Sequence, residues 1–349
     1  MVRLRCFCYN QYKRPCRFDW HGIERKQPER GNCMATKIMG ITAGRKNSNS
    51  EFLLKEALMA CEEMGAEVRM INLRDYNILD CTGCTACTKA MSEGKYAGCV
   101  LDEKDDKKRI TDLMLEQDGV IFSVPTYDLL PCSVYLRFAQ RSLAFETAFL
   151  ETNGFIQHKD RVAGLIAVGG STRSWQSMSL EGLQATMFTT DMLVVDMLLA
   201  KSVAGNGQCL LNDDLMARAK KLGENIMRAA QMPEGQKKWM GDEDMGWCPN
   251  CHSNALVLGE PQWDGLYYPV ECQVCGAGGD LEKTADGKWK FVIREKDGLL
   301  KDRTTVPGRA LHLKEIDECQ GGFFRNPDNL RIVGEKKQKY ISKQFRELD

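Results

Sequence analysis

From Lys37 the chain alternates between short apolar runs and amphipathic stretches in a regular order. Lys37 to Thr42 predicts a strand, and Ala43 to Ser50 a polar loop. Leu53, Leu54, Ala57, Leu58, Cys61 and Met64, three or four apart, predict one face of a helix. Gly65 ends that helix, and Glu67 to Asn72 alternates as a second strand. Helix Lys107 to Gln117 leads into the apolar strand Gly119 to Val124, which stops at Pro125-Thr126-Tyr127-Asp128. Helix Val134 to Ala148, strand Val162 to Val168, a glycine turn at Gly169-Gly170, helix Gln176 to Phe188, strand Met192 to Val195 and helix Asp213 to Met232 follow. About five strands alternating with helices predict an α/β domain with a doubly wound parallel sheet.

The flanks do not share that rhythm. Residues 1–33 scatter Cys6, Cys8, Cys16 and Cys33 among basic and polar residues with no period. They are read as a non-native or disordered extension, with Met34 as the true start. The α/β domain is then 34–232, and 233–246 is a linker beginning Pro233-Glu234-Gly235. A small module at 247–295 has strands expected at Ala255 to Leu258, Leu266 to Val270 and Lys288 to Ile293. Residues 296–349 form a charged C-terminal tail with a turn at Pro307-Gly308; its His312 has no placed partner and is read as structural or solvent-facing.

Composition narrows the class. With 349 residues and 43% hydrophobic content the chain can bury a sizeable core, and 48 Lys+Arg balance 48 Asp+Glu. A zero net charge lacks the basic footprint of nucleic-acid binding, and the run Glu335 to Lys339 is read as a solvated surface. No apolar run approaches the ~20 residues of a bilayer span. Eight of the sixteen cysteines fall into metal-type spacings and no secretory segment precedes them, which points to a reducing cytoplasm.

Those cysteines carry the candidate chemistry. Cys81, Cys84 and Cys87 stand at two-residue intervals, with Cys99 further on, a run suited to one [4Fe–4S] cluster. A zinc site or a few free thiols are the competing readings, but zinc usually takes two separated knuckles. Cys132, after Pro131, is a reserve fourth ligand, although a buried apolar cysteine is its commoner role. Cys248 and Cys251, then Cys272 and Cys275, make two C-x2-C knuckles, a strong signal for a structural zinc ribbon, with rubredoxin-type iron as runner-up. His252 is read as a surface residue rather than a fifth donor. The loop from Ala43 to Ser50 offers hydroxyls, Arg45 and N–H groups at a helix N-terminus, an anion site suited to phosphate. An ordinary capping box, Ser48 with Glu51, is the plain alternative, and the two can coexist.

Four places in order, the Gly40-to-Ser50 loop, the Cys81-to-Cys99 run, Asp118-Gly119 through Ser123-Val124-Pro125-Thr126-Tyr127, and Gly169-Gly170, resemble the NADPH-dependent FMN reductase family and, within it, the iron–sulfur flavoproteins. The resemblance covers about Lys37 to Met232 and implies a flavodoxin-like fold. It implies FMN, with its phosphate on Thr42, Gly44, Arg45, Ser48, Asn49 and Ser50. The isoalloxazine ring would lie against Pro125, Thr126, Tyr127, Asp128, Gly169, Gly170 and Trp175. A homodimer or tetramer is implied as well. The loop departs from the family's common Gly-Ser-Pro-Arg, reading Ala43-Gly44-Arg45, and eleven residues separate Cys87 from Cys99.

The expected function is a cytoplasmic oxidoreductase passing electrons between NAD(P)H or an organic substrate, FMN and a [4Fe–4S] cluster, with no side chain required as acid or base. Two other readings compete. One is a non-catalytic carrier partnered with a ferredoxin; the other is a redox sensor whose zinc ribbon is the output module.

Overall fold

In the computed structural model, described over residues 35–262 and 264–343, residues 35–343 belong to one compact unit. The reading of residues 1–33 lies outside the described residues. The elements run β1 (Lys37–Thr42), α1 (Asn49–Glu63), β2 (Glu67–Asn72), α2 (Ala86–Ser92), α3 (Lys107–Leu115), β3 (Gly119–Tyr127), β4 (Leu130–Pro131), α4 (Ser133–Ala139), α5 (Thr147–Thr152), β5 (Arg161–Val168), α6 (Ser179–Gln184), β6 (Met192–Ala200) and α7 (Asp213–Ala230). They continue as β7 (Leu256–Leu258), β8 (Val270–Cys272), β9 (Gly278–Lys283), β10 (Trp289–Ile293), α8 (Val306–Ile316), α9 (Gly322–Arg325) and α10 (Pro327–Ile341).

The first sheet is parallel in the order β2-β1-β3-β5-β6, with the short β4 added antiparallel to β3. This is the flavodoxin-like order, whose switch point falls between β1 and β3. β5 is buried along its whole length, which is why Val162 to Val168 reads as an unbroken run without polar side chains rather than an alternating one. Helices cover both faces. Met39, Val120, Phe122 and Leu165 pack on one side with Tyr135 and Phe138, while Ile38, Ile121, Val162 and Ile166 pack on the other with α1 and α7. α1 and α7 cross at Gly223, where a Cβ would sit 2.0 Å from the Ala57 carbonyl oxygen, so any side chain there would force the helices apart.

Several elements differ from the sequence pattern. The expected helix from Val134 to Ala148 breaks after Ala139, because Arg141 turns its guanidinium inward to the Leu79 carbonyl and the Asp105 carboxylate. Helix Gln176 to Phe188 shrinks to α6, leaving Gln176 outside it with its amide on the Ser171 carbonyl. β6 runs on to Ala200. Pro307 is not a turn but the first turn of α8, capped by Thr305 Oγ1 accepting from the Gly308 N–H. α8 packs against α5 and α2. Residues 239–245, expected within a linker, lay Trp239 and Met245 on one core and Met240 on the other. β7 to β10 form a separate antiparallel sheet in the order β10-β9-β8-β7. No helix among the described residues is long and apolar enough to cross a membrane.

Candidate functional site

The loops after β1, β3 and β5 converge on one sheet edge because parallel strands all end there. After β1, Thr42 is fully buried and its Oγ1 accepts from the Gly44 N–H at 3.2 Å. Asn72 Nδ2 donates to the Gly44 carbonyl at 2.8 Å and Arg74 Nε to the Ala43 carbonyl at 2.9 Å, which fixes the loop's path. Ser48 is the N-cap residue of α1, and its carbonyl accepts from Phe52 N–H. Its hydroxyl caps nothing. Glu51 binds the Asn47 N–H and Lys55 instead, so the capping box does not form. Ser48 Oγ is left buried without a partner, beside first-turn N–H groups that have no intrahelical acceptor. Gly44 keeps the space open, since a Cβ there would come within 2.7 Å of Ser48 Oγ. An orphaned hydroxyl, free N–H groups and the exposed Arg45, which makes no ion pair among the described residues, fit a phosphate. Ser50 is buried at the same turn, its carbonyl held by Ser123 Oγ at 2.7 Å. Asn49 differs. Its side chain is consumed by the Val203 and Gly205 carbonyls and the Cys209 N–H, so only its backbone faces the loop.

After β3, Thr126 and Tyr127 pair with Pro131 and Leu130 across a two-residue turn, Asp128 and Leu129, both with positive φ. Leucine in that region is strained by roughly 1–2 kcal/mol, and the hairpin that carries the strain leaves Tyr127 half exposed at the edge. Thr126 Oγ1 is tied to Ser179 Oγ at 2.7 Å. After β5, Gly169 is buried, Gly170 is exposed, and Trp175 stands 67% exposed at the end of a short 3-10 turn. Pro125 to Asp128 and Gly169 to Trp175 therefore stand on the same sheet edge as the loop after β1.

After β2, Cys81, Cys84, Cys87 and Cys99 line one apolar pocket of about 80 Å³ together with Leu101, Leu143 and Ala144. No three of these sulfurs lie within 4.8 Å of one another, wider than one tetrahedral ion at ~2.3 Å per bond allows. The Ala86 N–H, and next the Thr82 hydroxyl, hold the Cys84 thiol below its ordinary value, whereas burial pushes Cys87 up. Cys132 is not in the pocket; it is buried with its sulfur 3.7 Å from the Ala43 carbonyl.

Two buried cations that the sequence pattern does not single out bear on this pocket: Arg141 lines it, and Lys107, outside the lining, couples electrostatically to Cys99. Arg141, its side chain 1% exposed, donates to Cys99 Sγ at 3.5 Å and leaves its Nε without a partner. Lys107 is fully buried, bonded only to the Thr111 and Ser142 hydroxyls and lying over the Phe138 ring at 4.1 Å. Buried cations so placed fit an anionic group held by the four thiolates. Burial, and then the neighbouring Arg141, bring the Lys107 ammonium down to about 7. Iron-free protein should therefore gain stability as pH rises from about 7 toward 10.5, where the unfolded chain binds a proton that the folded chain lacks. Lys107→Met should abolish that slope and raise stability at pH 7. Urea titrations at pH 7 and 9 test it, and equal slopes in both proteins would refute it.

The second thiolate set is tighter. Cys248, Cys251, Cys272 and Cys275 are buried, all within 4.8 Å of one another, with the pairs Cys248–Cys275 and Cys251–Cys272 at 3.6 Å. Tetrahedral zinc at ~2.3 Å per bond sets sulfurs about 3.8 Å apart, so one ion fits the donor set, as would rubredoxin-type iron. His252 is not a surface residue: it is buried and stacks on Trp239 at 4.1 Å. His312 is exposed and pairs with Glu315.

Residues 36–203 match the family model for NADPH-dependent FMN reductase. A flavone synthase of Aspergillus candidus is 26% identical over 306 residues, covering 81% of this chain and 89% of its own. An iron–sulfur flavoprotein of Methanocaldococcus jannaschii is 28% identical over 204 residues, covering 56% of this chain and 98% of its own. Among solved structures, a flavone reductase superposes with a TM-score of 0.69 at 24% identity, covering 90% of this chain and all of that one, a likeness of fold.

Proposed function

Residues 36–203 place this chain in the NADPH-dependent FMN reductase family, and from that premise we propose an FMN oxidoreductase that links two-electron to one-electron chemistry. It is a flavin-dependent oxidoreductase of the iron–sulfur flavoprotein kind. The observation that carries the reading is the buried, unpartnered Ser48 Oγ at the start of α1, beside the β1/β3 switch point. Arg45, Ser48, Ser50 and the first-turn N–H groups would hold the phosphate of FMN, with Thr42 and Gly44 shaping the loop. Pro125 to Asp128 and Gly169 to Trp175 would orient the ring and exclude water from its faces. Bound there, FMN supplies two-electron exchange with NAD(P)H or an organic substrate, and a [4Fe–4S] cluster on Cys81, Cys84, Cys87 and Cys99 supplies single electrons for a ferredoxin-type carrier.

Arg141 and Lys107 balance the charge of the thiolates, and Arg141 holds Cys99 in the pocket. Zinc on Cys248, Cys251, Cys272 and Cys275 is structural in this reading, because four thiolates leave no open position. The chain acts as a homodimer or tetramer in the reducing cytoplasm. A second reading, in which the organic substrate is a flavone-type ring, is favoured by the flavone synthase's match to 81% of the chain.

Arg45→Ala removes a charge-assisted contact to phosphate, about 1.5–3 kcal/mol, so FMN affinity should fall roughly ten- to a hundredfold. Fluorescence titration of stripped protein with FMN measures it. Unchanged affinity would put the phosphate elsewhere.

A further inference from the structure

At the amino-terminal ends of β5 and β6, opposite the flavin edge, three side chains from separate segments meet. Glu151 ends on the last turn of α5, His158 precedes β5, and Asp191 precedes β6 with φ +50°. His158 Nδ1 is approached by Glu151 Oε2 at 2.9 Å and by Asp191 Oδ2 at 3.4 Å. Nδ1 makes its hydrogen bond with Glu151 and leaves Asp191 Oδ2 outside hydrogen-bonding geometry. The Glu151 and Asp191 side chains are 8% and 10% exposed, and Glu151 Oε1 and Asp191 Oδ2 are buried with no hydrogen-bond partner. Asp191 Oδ2 is thus a buried carboxylate oxygen that faces Nδ1 without a hydrogen bond, and the second oxygen of Glu151 is unpartnered as well, an arrangement that is costly unless a cation lies there.

We propose that Glu151, His158 and Asp191 form a site for one divalent first-row cation of mixed nitrogen and oxygen preference, Mn²⁺ or Zn²⁺. Their ligand atoms lie within 4.8 Å of one another. Asp160 Oδ1 stands 2.8 Å from His158 Nε2, so a hydrogen on Nε2 leaves Nδ1 bare, the outer-shell support that metal-binding histidines use. A cavity of about 260 Å³ against His158 and Asp191 gives room for the water that three protein ligands leave to be added. The surrounding cations do not compete. Arg309 holds the other oxygen of Asp191, Arg161 Nε and Nη1 donate to the Leu115 and Lys159 carbonyls, and Lys237 donates to the Ala230 carbonyl. Glu234, 3.8 Å from Nε2, is exposed and stays outside. Two carboxylates, a neutral imidazole and a divalent ion sum to zero. The site would staple α5, β5 and β6 and, through Asp191 and Arg309, α8.

The test is an EPR titration of the full-length protein with Mn²⁺ after treatment with a chelator. Thiolate sites disfavour Mn²⁺, so neither cysteine set obscures the count. Wild type should bind one equivalent, and His158→Gln should bind none. Asp160→Asn, a change near the surface, should weaken binding ten- to a hundredfold without altering the fold. Wild type binding no Mn²⁺ at millimolar concentration would overturn the site and leave His158 as a protonated ion-pair partner. Binding indifferent to both substitutions would overturn it too.

Discussion

Cys84→Ala is expected to yield protein without iron or acid-labile sulfide but with its FMN intact. Cys84 is exposed, and the Ala86 N–H holds its thiol below the ordinary value, which favours the thiolate that a ligand must be. No replacement thiolate is at hand, because Cys132 is buried against Ala43 and lies outside the pocket. The loops after β1, β3 and β5, which would hold the flavin, are separate from the Cys81-to-Cys99 loop, so flavin content should not change. Stability should fall as well, since Arg141 and Lys107 would remain buried without the anion they balance. Reduction of a one-electron acceptor such as ferredoxin should be lost while NAD(P)H oxidation with a two-electron acceptor continues. Retention of full iron content would exclude Cys84 as a ligand.

Cys272→Ser is expected to have the second large effect, on stability. Structural zinc contributes on the order of 10 kcal/mol to small thiolate modules, and a site missing one ligand forfeits most of it. The loss should reach the flavin sheet. Phe188, just before β6, packs in the core of the small module with Val270, Val274 and Phe291, and Gln184 of α6 donates to the Cys251 carbonyl. Exposing Phe188 and freeing Gln184 should cost the larger core about 1–3 kcal/mol. Calorimetry should therefore record a lower main transition, with FMN still bound at room temperature. An unchanged main transition would mean that the two cores unfold independently.

The strand and helix periods carry most of the α/β domain. Strands whose two faces are buried, such as β5 from Val162 onward, announce themselves as apolar runs, and the C-x2-C spacing announces the second thiolate set. Less legible is whatever depends on a single long-range bond. Arg141 breaks a helix that its neighbours' period predicts, because burying its guanidinium against Asp105 and Cys99 outweighs helix continuation. Asn49 looks like a phosphate ligand by its place in the loop, yet its amide closes on carbonyls more than 150 residues away. Pro307-Gly308 reads as a turn and Trp239 as part of a linker, until α8 meets α5 and residues 239–245 meet the sheet. Lys107 and the Glu151–His158–Asp191 group give no local signal at all, since lysines, histidines and carboxylates in a single sequence are usually solvent-facing.

The most direct test of the central claim is a visible spectrum with iron, sulfide and FMN analysis on protein purified without oxygen. One FMN per chain together with four iron and four sulfide is the predicted result, with zinc accounting for the second thiolate set. Protein carrying no flavin, or flavin with no iron beyond a single rubredoxin-type atom, would contradict it.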